Sequence, residues 1–369
     1  MKTIVVSAVN LRKGGTLTIL RDCLSYLSKV NQGNNYRIIA LVHKKELAQY
    51  EHIEYIEIPW TVRSWLLRLW CEYITMFRIS KRLGDIDLWL SLHDTTPNVV
   101  AKHRAVYCHN PFPFYQWKWR DLFVNYRITC FAWFSKYIYR INIHKNNWVL
   151  VQQQWLRRSF TDLFGIDKNQ IIVTLPTNNE LVPNKSQARK GATPYCFIFP
   201  SYADIHKNFD ILCSATMQLE REVGANVFKV VLTIGGNENT YARQLKRKWG
   251  RVASITFAGF MSREDLYKHY EQADCLVFPS KVETWGLPIS EFGAFNKPML
   301  LADLPYAHET SAGCSQVAFF PANDPQALMS LMKRLLQGDR SMLSPNPQKE
   351  IPQPTAKNWQ ELFDHLLQE

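Results

Sequence analysis

No stretch of the chain reaches the ~18 uninterrupted apolar residues that a membrane span needs. The opening Met1-Lys2-Thr3-Ile4-Val5-Val6-Ser7 is too short and too strand-like for a signal peptide, so a cytoplasmic location is expected. None of the eight cysteines forms a Cys-x-x-Cys pair, which argues against zinc and redox motifs. Several, such as Cys275 in Ala273-Asp274-Cys275-Leu276-Val277-Phe278, sit in apolar runs, and buried reduced thiols are expected. No Asp-x-Asp motif stands in a plausible metal site, so neither a metal nor a cofactor is expected. An internal repeat, a low-complexity tract and a recognised nucleic-acid motif are also missing.

What is present is size and pattern. At 369 residues the chain exceeds what one hydrophobic core usually holds, and two domains are expected. Apolar runs at Thr3–Val9, Arg37–Val42, Tyr55–Ile58, Leu88–Leu92, Ala105–Cys108, Trp148–Gln152 and Ile171–Leu175 read as strands, with helical patterns between them. A loop with Gly14-Gly15 follows the first run, and a helix starts near Leu17. The alternation resumes at Tyr195–Phe199, with further strands at Val230–Ile234, Ile255–Ala258, Cys275–Phe278 and Met299–Ala302. Such alternation predicts an α/β fold of parallel sheets wrapped by helices. The domains are placed at 1–177 and 195–345. The linker at 178–194 holds Asn178, Asn179, Pro183, Asn184, Gly191 and Pro194. A tail at 346–369 ends in a helix from Ala356 to Leu367. Two Rossmann-like, doubly wound domains would face each other across a cleft at the carboxyl ends of their strands.

Charge is uneven. Residues 1–190 carry 27 Lys+Arg against 13 Asp+Glu, a net of +14, and the rest 17 against 19, a net of −2. The first half is built to meet something anionic.

The most informative stretch is Phe278-Pro279-Ser280-Lys281-Val282-Glu283-Thr284-Trp285-Gly286-Leu287-Pro288-Ile289-Ser290-Glu291. A strand ends, a loop carries Glu283 and Gly286, and Pro288 suits the first turn of a helix holding Glu291. Free N–H groups at that helix start favour a diphosphate, and two carboxylates flanking it would grip hydroxyls. The pattern resembles the Glu-x7-Glu signature of the family 4 glycosyltransferases, which retain anomeric configuration. Phe257-Ala258-Gly259-Phe260 and Pro298 extend the resemblance across the second half. It implies the GT-B fold, with the C-terminal helix crossing back to the first domain. It also implies that Glu283 contacts the donor sugar, that Glu291 holds the ribose hydroxyls, and that Thr284, Trp285, Gly286 and Leu287 line the donor site.

The first half fits the same family. Gly14-Gly15 resembles its glycine loop, which approaches the donor phosphates. His109, in Val106-Tyr107-Cys108-His109-Asn110-Pro111, resembles the family's strand-end histidine facing the donor sugar. There are departures. Lys207 matches the family's phosphate-binding lysine, but the expected arginine falls near Tyr202, leaving Tyr202 and His206 as expected diphosphate support. Trp285 replaces the usual Phe, and Asn296-Lys297 replaces the usual Gly before Pro298. The implied reaction moves a sugar from a nucleoside-diphosphate sugar to an acceptor. Stabilising the departing diphosphate is then the main task, and Glu283 positions the sugar.

From Lys102 to Lys145, both included, there are eight Lys+Arg and one acidic residue, Asp121, among many aromatics. A second mixed run spans Trp60 to Trp70. Aromatics beside cations suit a membrane interface. Trp65, Arg68, Trp117, Lys118, Trp119, Arg120, Arg127 and Lys136 are therefore expected to meet an anionic membrane surface at the inner face of the plasma membrane. A glycan or polyprenyl-linked acceptor would fit there, in O-antigen or capsule synthesis. The competing expectations are a GT-B epimerase or phosphorylase, and a protein that binds single-stranded nucleic acid through the same aromatic and basic residues; a nucleic-acid partner leaves the Glu pair unexplained.

Overall fold

Parallel strands alternate with helices in the computed structural model, which describes residues 1–115, 117, 119–175 and 194–368. The first sheet uses β1 (Lys2–Ala8), β2 (Tyr36–Val42), β3 (Glu54–Glu57), β4 (Leu88–Ser91), β5 (His103–Tyr107), β6 (Trp148–Val151) and β7 (Ile171–Thr174). Its order is β7-β6-β5-β4-β1-β2-β3, and the C-terminal strand Thr355–Ala356 adds to β7. The second uses β8 (Tyr195–Phe199), β9 (Phe228–Leu232), β10 (Ile255–Phe257), β11 (Cys275–Phe278), β12 (Met299–Ala302) and β13 (Val317–Phe320), in the order β10-β9-β8-β11-β12-β13.

These strands read as apolar runs because helices cover both faces of each sheet. In β1, six of seven residues are buried. The helix Gly14–Val30 buries Leu17, Leu20, Cys23, Leu24 and Leu27, one stripe at helical spacing. In the second sheet's layer, Phe209–Val223 buries Phe209, Leu212, Ala215, Thr216 and Leu219. Asn239, Ser262 and Asp324 cap helix starts, their side chains accepting backbone N–H groups.

Each sheet belongs to a separate compact unit. One holds Met1–Pro113, the chain from Phe134 to the end of β7, and the chain from Ile351 on; the other holds Phe114–Trp133 and the chain from β8 to Glu350. The C-terminal helix Trp359–Leu367 packs Leu362, Phe363 and Leu366 into the first unit's core, with Phe363 stacked on Tyr26 at 5.5 Å.

Several expectations need correction. Gly14 and Gly15 are not in a loop but open the helix Gly14–Val30, with Gly14 at φ 65°. Ala356 is in a strand, and the last helix starts at Trp359 behind an Asn358 cap. β9 lies two residues earlier than its apolar pattern suggested, and β13 was not anticipated. The expected linker falls outside the described residues except at Pro194.

In both units the chain winds outward from one strand and then returns to that strand's other side. The reversal lies between β1 and β4 in the first sheet and between β8 and β11 in the second. Ligands of open α/β sheets bind at the carboxyl ends of such strand pairs.

Candidate active site

At the second reversal, β8 leads into a loop closed by a tight turn at Ile205–Lys207, and β11 leads into the Glu283 loop. Backbone and side chains lock these loops together. Lys281 N–H donates to the His206 carbonyl at 2.8 Å, and Asn208 Nδ2 donates to the Pro279 carbonyl at 3.0 Å. The side chains then meet: Lys207 Nζ donates to Glu283 Oε1 at 2.6 Å, the two side chains only 15% and 11% exposed. From below the loop, Tyr306 Oη donates to the Ser280 carbonyl at 2.6 Å, and Thr310 Oγ1 donates to the Trp285 carbonyl.

Gly286 then turns the chain at φ 86°, a conformation that favours glycine. Pro288 stands in the first turn of the helix Leu287–Gly293. Thr284 and Trp285 are half-buried, and Trp285 Nε1 donates to Ser290 Oγ at 3.2 Å. Glu291 accepts from Tyr270 Oη at 3.3 Å and lies 3.7 Å from Arg263. Burial pushes its pKa up, and Arg263 and Tyr270 only partly oppose that.

Of the residues expected to support a diphosphate, His206 has its imidazole 3.5 Å from the Asp204 carboxylate. Tyr202 is 66% exposed, its ring nearly parallel to that of Phe260, 76% exposed, with centroids 6.5 Å apart. Both stand just beyond strand ends, β8 and β10. Phe260 was not named as a site residue, although its aromatic character after Ala258-Gly259 was the available signal.

In the first unit, His109 follows β5. Its ring is buried, its centroid 4.2 Å from that of Tyr107, with the Leu92 carbonyl beside it. Burial lowers its pKa, while the Asp94 carboxylate and the nearby Leu92 carbonyl oppose the shift. The imidazole is therefore neutral around pH 7. Gly14 and Gly15 are exposed at their helix start. The structure thus joins Lys207 to Glu283 and Glu291 to Arg263 and Tyr270 within one unit, with Gly14, Gly15 and His109 in the other.

The surface residues divide. Arg68 is not a surface cation: its side chain is 14% exposed, and Nε donates to buried Glu72 at 2.8 Å. Trp117 is half-buried against Tyr115, the rings 4.2 Å apart. Trp65 and Lys136 are exposed. Lys118 lies outside the described residues, as do the side chains of Trp119, Arg120 and Arg127. Leu66 and Trp70, in the same mixed run but outside the set expected at the membrane, are exposed, Leu66 by 79%. No described helix is long and apolar enough to cross a membrane. Among the described residues, no three His, Cys, Asp or Glu gather as a metal site.

Residues 183–350 match the family described as glycosyl transferases group 1. The chain carries a group 1 glycosyl transferase domain. This glycosyltransferase is 21% identical over 283 residues to the O-antigen chain mannosyltransferase RfbU of Salmonella typhimurium, covering 76% of this chain and 71% of that protein. Among solved structures it is similar to the lipopolysaccharide outer core galactosyltransferase WaaB, with TM-score 0.62, 11% identity and 92% of each chain covered. It is equally similar to WaaG, a glycosyltransferase involved in lipopolysaccharide biosynthesis, with TM-score 0.62, 14% identity and 90% of each chain covered. Anabaena Alr3699/HepE in complex with UDP and glucose gives TM-score 0.59 at 14% identity, over 94% of this chain and 93% of that one. The fold is GT-B, two parallel-sheet α/β domains.

Proposed function

We propose that the protein transfers a sugar from a nucleoside-diphosphate sugar to a glycan or lipid-linked acceptor, with retention of configuration, in lipopolysaccharide O-antigen or related surface-polysaccharide synthesis. The observation that carries this reading is the Lys207–Glu283 pair at the second sheet's reversal, with Glu291 eight positions on. The relatives' names supply the polysaccharide context.

Each side chain then has a task. Lys207 stabilises negative charge gathering on the departing diphosphate, and a preorganised cation in a water-poor site does this best. Glu283 accepts hydroxyl hydrogen bonds from the donor sugar and so orients it. Glu291 accepts from the ribose hydroxyls. Tyr202 and Phe260 offer two exposed, nearly parallel rings, and a nucleobase would stack on such a platform. The neutral His109 accepts or donates one hydrogen bond at the sugar without placing a cation there. No metal takes part. The protein works at an anionic membrane surface on the cytoplasmic side.

The test is a panel of nucleotide sugars screened for thermal stabilisation. The stabilising compound is then incubated with and without a lipid-linked acceptor in the presence of chelator, and the product's anomeric configuration is read by NMR. Acceptor-dependent transfer with retention is expected. Turnover without acceptor would point to an epimerase, an inverted product would overturn retention, and loss of activity restored by magnesium would overturn the metal-free reading.

A further inference from the structure

The helix beginning at Trp65 does not run straight. After Trp70 it widens into one π turn, Cys71–Thr75, before continuing as Met76–Leu83. Such turns are rare and are frequent at functional sites. Glu72 lies in this one and is fully buried. Its carboxylate accepts from Arg68 Nε at 2.8 Å and from Thr95 Oγ1 at 2.7 Å, and stands 3.4 Å from His93 Nδ1. Burial alone would raise its pKa, but Arg68 and His93 pull it down to about 2, so it is ionised.

The network continues towards the strand ends. Arg68 Nη2 donates to the His93 carbonyl at 2.7 Å. His93 Nε2 lies 3.0 Å from Ser7 Oγ and 3.1 Å from Ser91 Oγ, the hydroxyls at the ends of β1 and β4. Next in the chain is Asp94, whose φ of 72° is left-handed. For a residue with a side chain this conformation is strained, and it persists where the surroundings over-determine it. Here they do. Asp94 N–H donates to the Tyr107 carbonyl at 3.2 Å. Asp94 Oδ1 accepts the backbone N–H groups of His109 at 2.5 Å and Asn110 at 3.0 Å. One carboxylate thus clamps the loop after β4 to the loop after β5. Tyr139 and Cys108 also feel its charge: burial first, then Asp94, holds both neutral.

Resting on the reading of His109 as the group facing the donor sugar, we propose that Asp94 is the positioning residue of this site. Its carboxylate, kept in place by the buried Arg68–Glu72 pair, fixes the backbone at His109 and holds the electrostatic balance of that imidazole. The groups bearing on the ring are the Asp94 carboxylate and the Leu92 carbonyl, which favour a proton, and His93, which opposes one. Asp94 therefore works on His109 twice, through the backbone and through its charge.

The experiment uses the full-length enzyme with Asp94→Asn and Asp94→Gly. Asn tolerates the left-handed backbone and keeps an oxygen for both N–H groups while removing the charge. Gly relieves the strain and removes the clamp. His109, assigned in the NMR spectrum by the signal missing from His109→Gln, should titrate at lower pH in Asp94→Asn than in wild type. In Asp94→Gly, kcat should fall on the order of 100-fold, the loss expected from a misplaced group, with KM for the nucleotide sugar changed less than about threefold. Asp94→Asn should retain more activity than Asp94→Gly. Unchanged nucleoside-diphosphate affinity serves as the control for folding. An unmoved His109 titration in Asp94→Asn, or wild-type kcat in Asp94→Gly, would overturn the proposal. If His109→Gln itself keeps wild-type kcat, the reading of His109 has failed instead, and the two failures are told apart.

Discussion

Lys207 Nζ and Glu283 Oε1 stand 2.6 Å apart, though 76 positions separate them in the chain, because each stands in a loop leaving one of the two strands at the sheet's reversal. A pair this close and this sheltered has consequences that separate stability from chemistry. Removing one member leaves the other charged, sheltered and uncompensated, which typically costs about 3–5 kcal/mol, whereas replacing both by apolar residues costs far less. Lys207→Met should therefore lower the urea midpoint markedly, and Lys207→Met with Glu283→Met should regain most of the loss. Neither variant should transfer sugar. Additive losses of stability would mean that the two charges do not depend on each other, and an active double variant would remove both from the site.

Glu291 makes a prediction in pH. Its pKa is raised in the folded protein, burial being the largest cause. The folded state then binds its proton more readily than the unfolded state, so stability falls as pH rises through the window between the unfolded and folded values. Above that window wild type carries the full cost of a buried carboxylate. Glu291→Gln should thus melt higher than wild type at neutral pH, with the advantage shrinking as pH falls into the carboxylate range. The same variant should bind the nucleoside diphosphate more weakly, by about 1–3 kcal/mol for a lost hydrogen bond to a charged group. Stability and binding should move in opposite directions; calorimetry and thermal melts across pH would show whether they do.

Much of this arrangement was legible in the residues, and the exceptions have physical causes. Strands buried on both faces announce themselves as apolar runs. β13 escaped notice because Val317-Ala318-Phe319-Phe320 is too short for periodicity to separate strand from helix. The Glu283 loop was legible because Gly286 and Pro288 punctuate it. Asn296-Lys297 looked like a departure from the family pattern, yet the structure shows substitution by other means. Asn296 takes the left-handed φ of 53° that glycine would supply, and Asn tolerates it better than most residues. Lys297 Nζ donates to the carbonyls of Tyr270, Glu271 and Ala273, closing the end of the helix Arg263–Gln272. Arg68 was misread for a different reason, and Glu72 gave no signal of its own. Four apart on a helix, they look like an ordinary surface pair, and only the π turn and the neighbouring strand ends bury them. Asp94 gave no local signal, since its partners His109 and Asn110 come from another strand's loop.

That burial changes what should be expected at a membrane. The basic excess of the first half suggested Arg68 as a lipid-facing cation, but its guanidinium is committed to Glu72 and the His93 carbonyl. What the same helix leaves exposed is apolar: Trp65, Leu66 and Trp70. Elsewhere in the unit Phe134, Tyr137 and Ile141 are exposed near Lys136. Attachment to an anionic bilayer should therefore have two separable parts. Exposed Lys and Arg contribute on the order of 1 kcal/mol each and fade with salt, whereas inserted aromatic and leucine side chains resist salt. The full-length protein should sediment with phosphatidylglycerol-containing vesicles at low salt and be only partly released at high salt. Leu66→Glu with Trp70→Glu should abolish the fraction that survives high salt, while Lys136→Glu should weaken only the salt-sensitive fraction. Nucleoside-diphosphate binding should be unaffected in both. Wild-type sedimentation of the Leu66→Glu/Trp70→Glu protein at high salt would clear that helix of any role at the membrane, and a wild-type protein that ignores anionic vesicles at low salt would make the acceptor a soluble one.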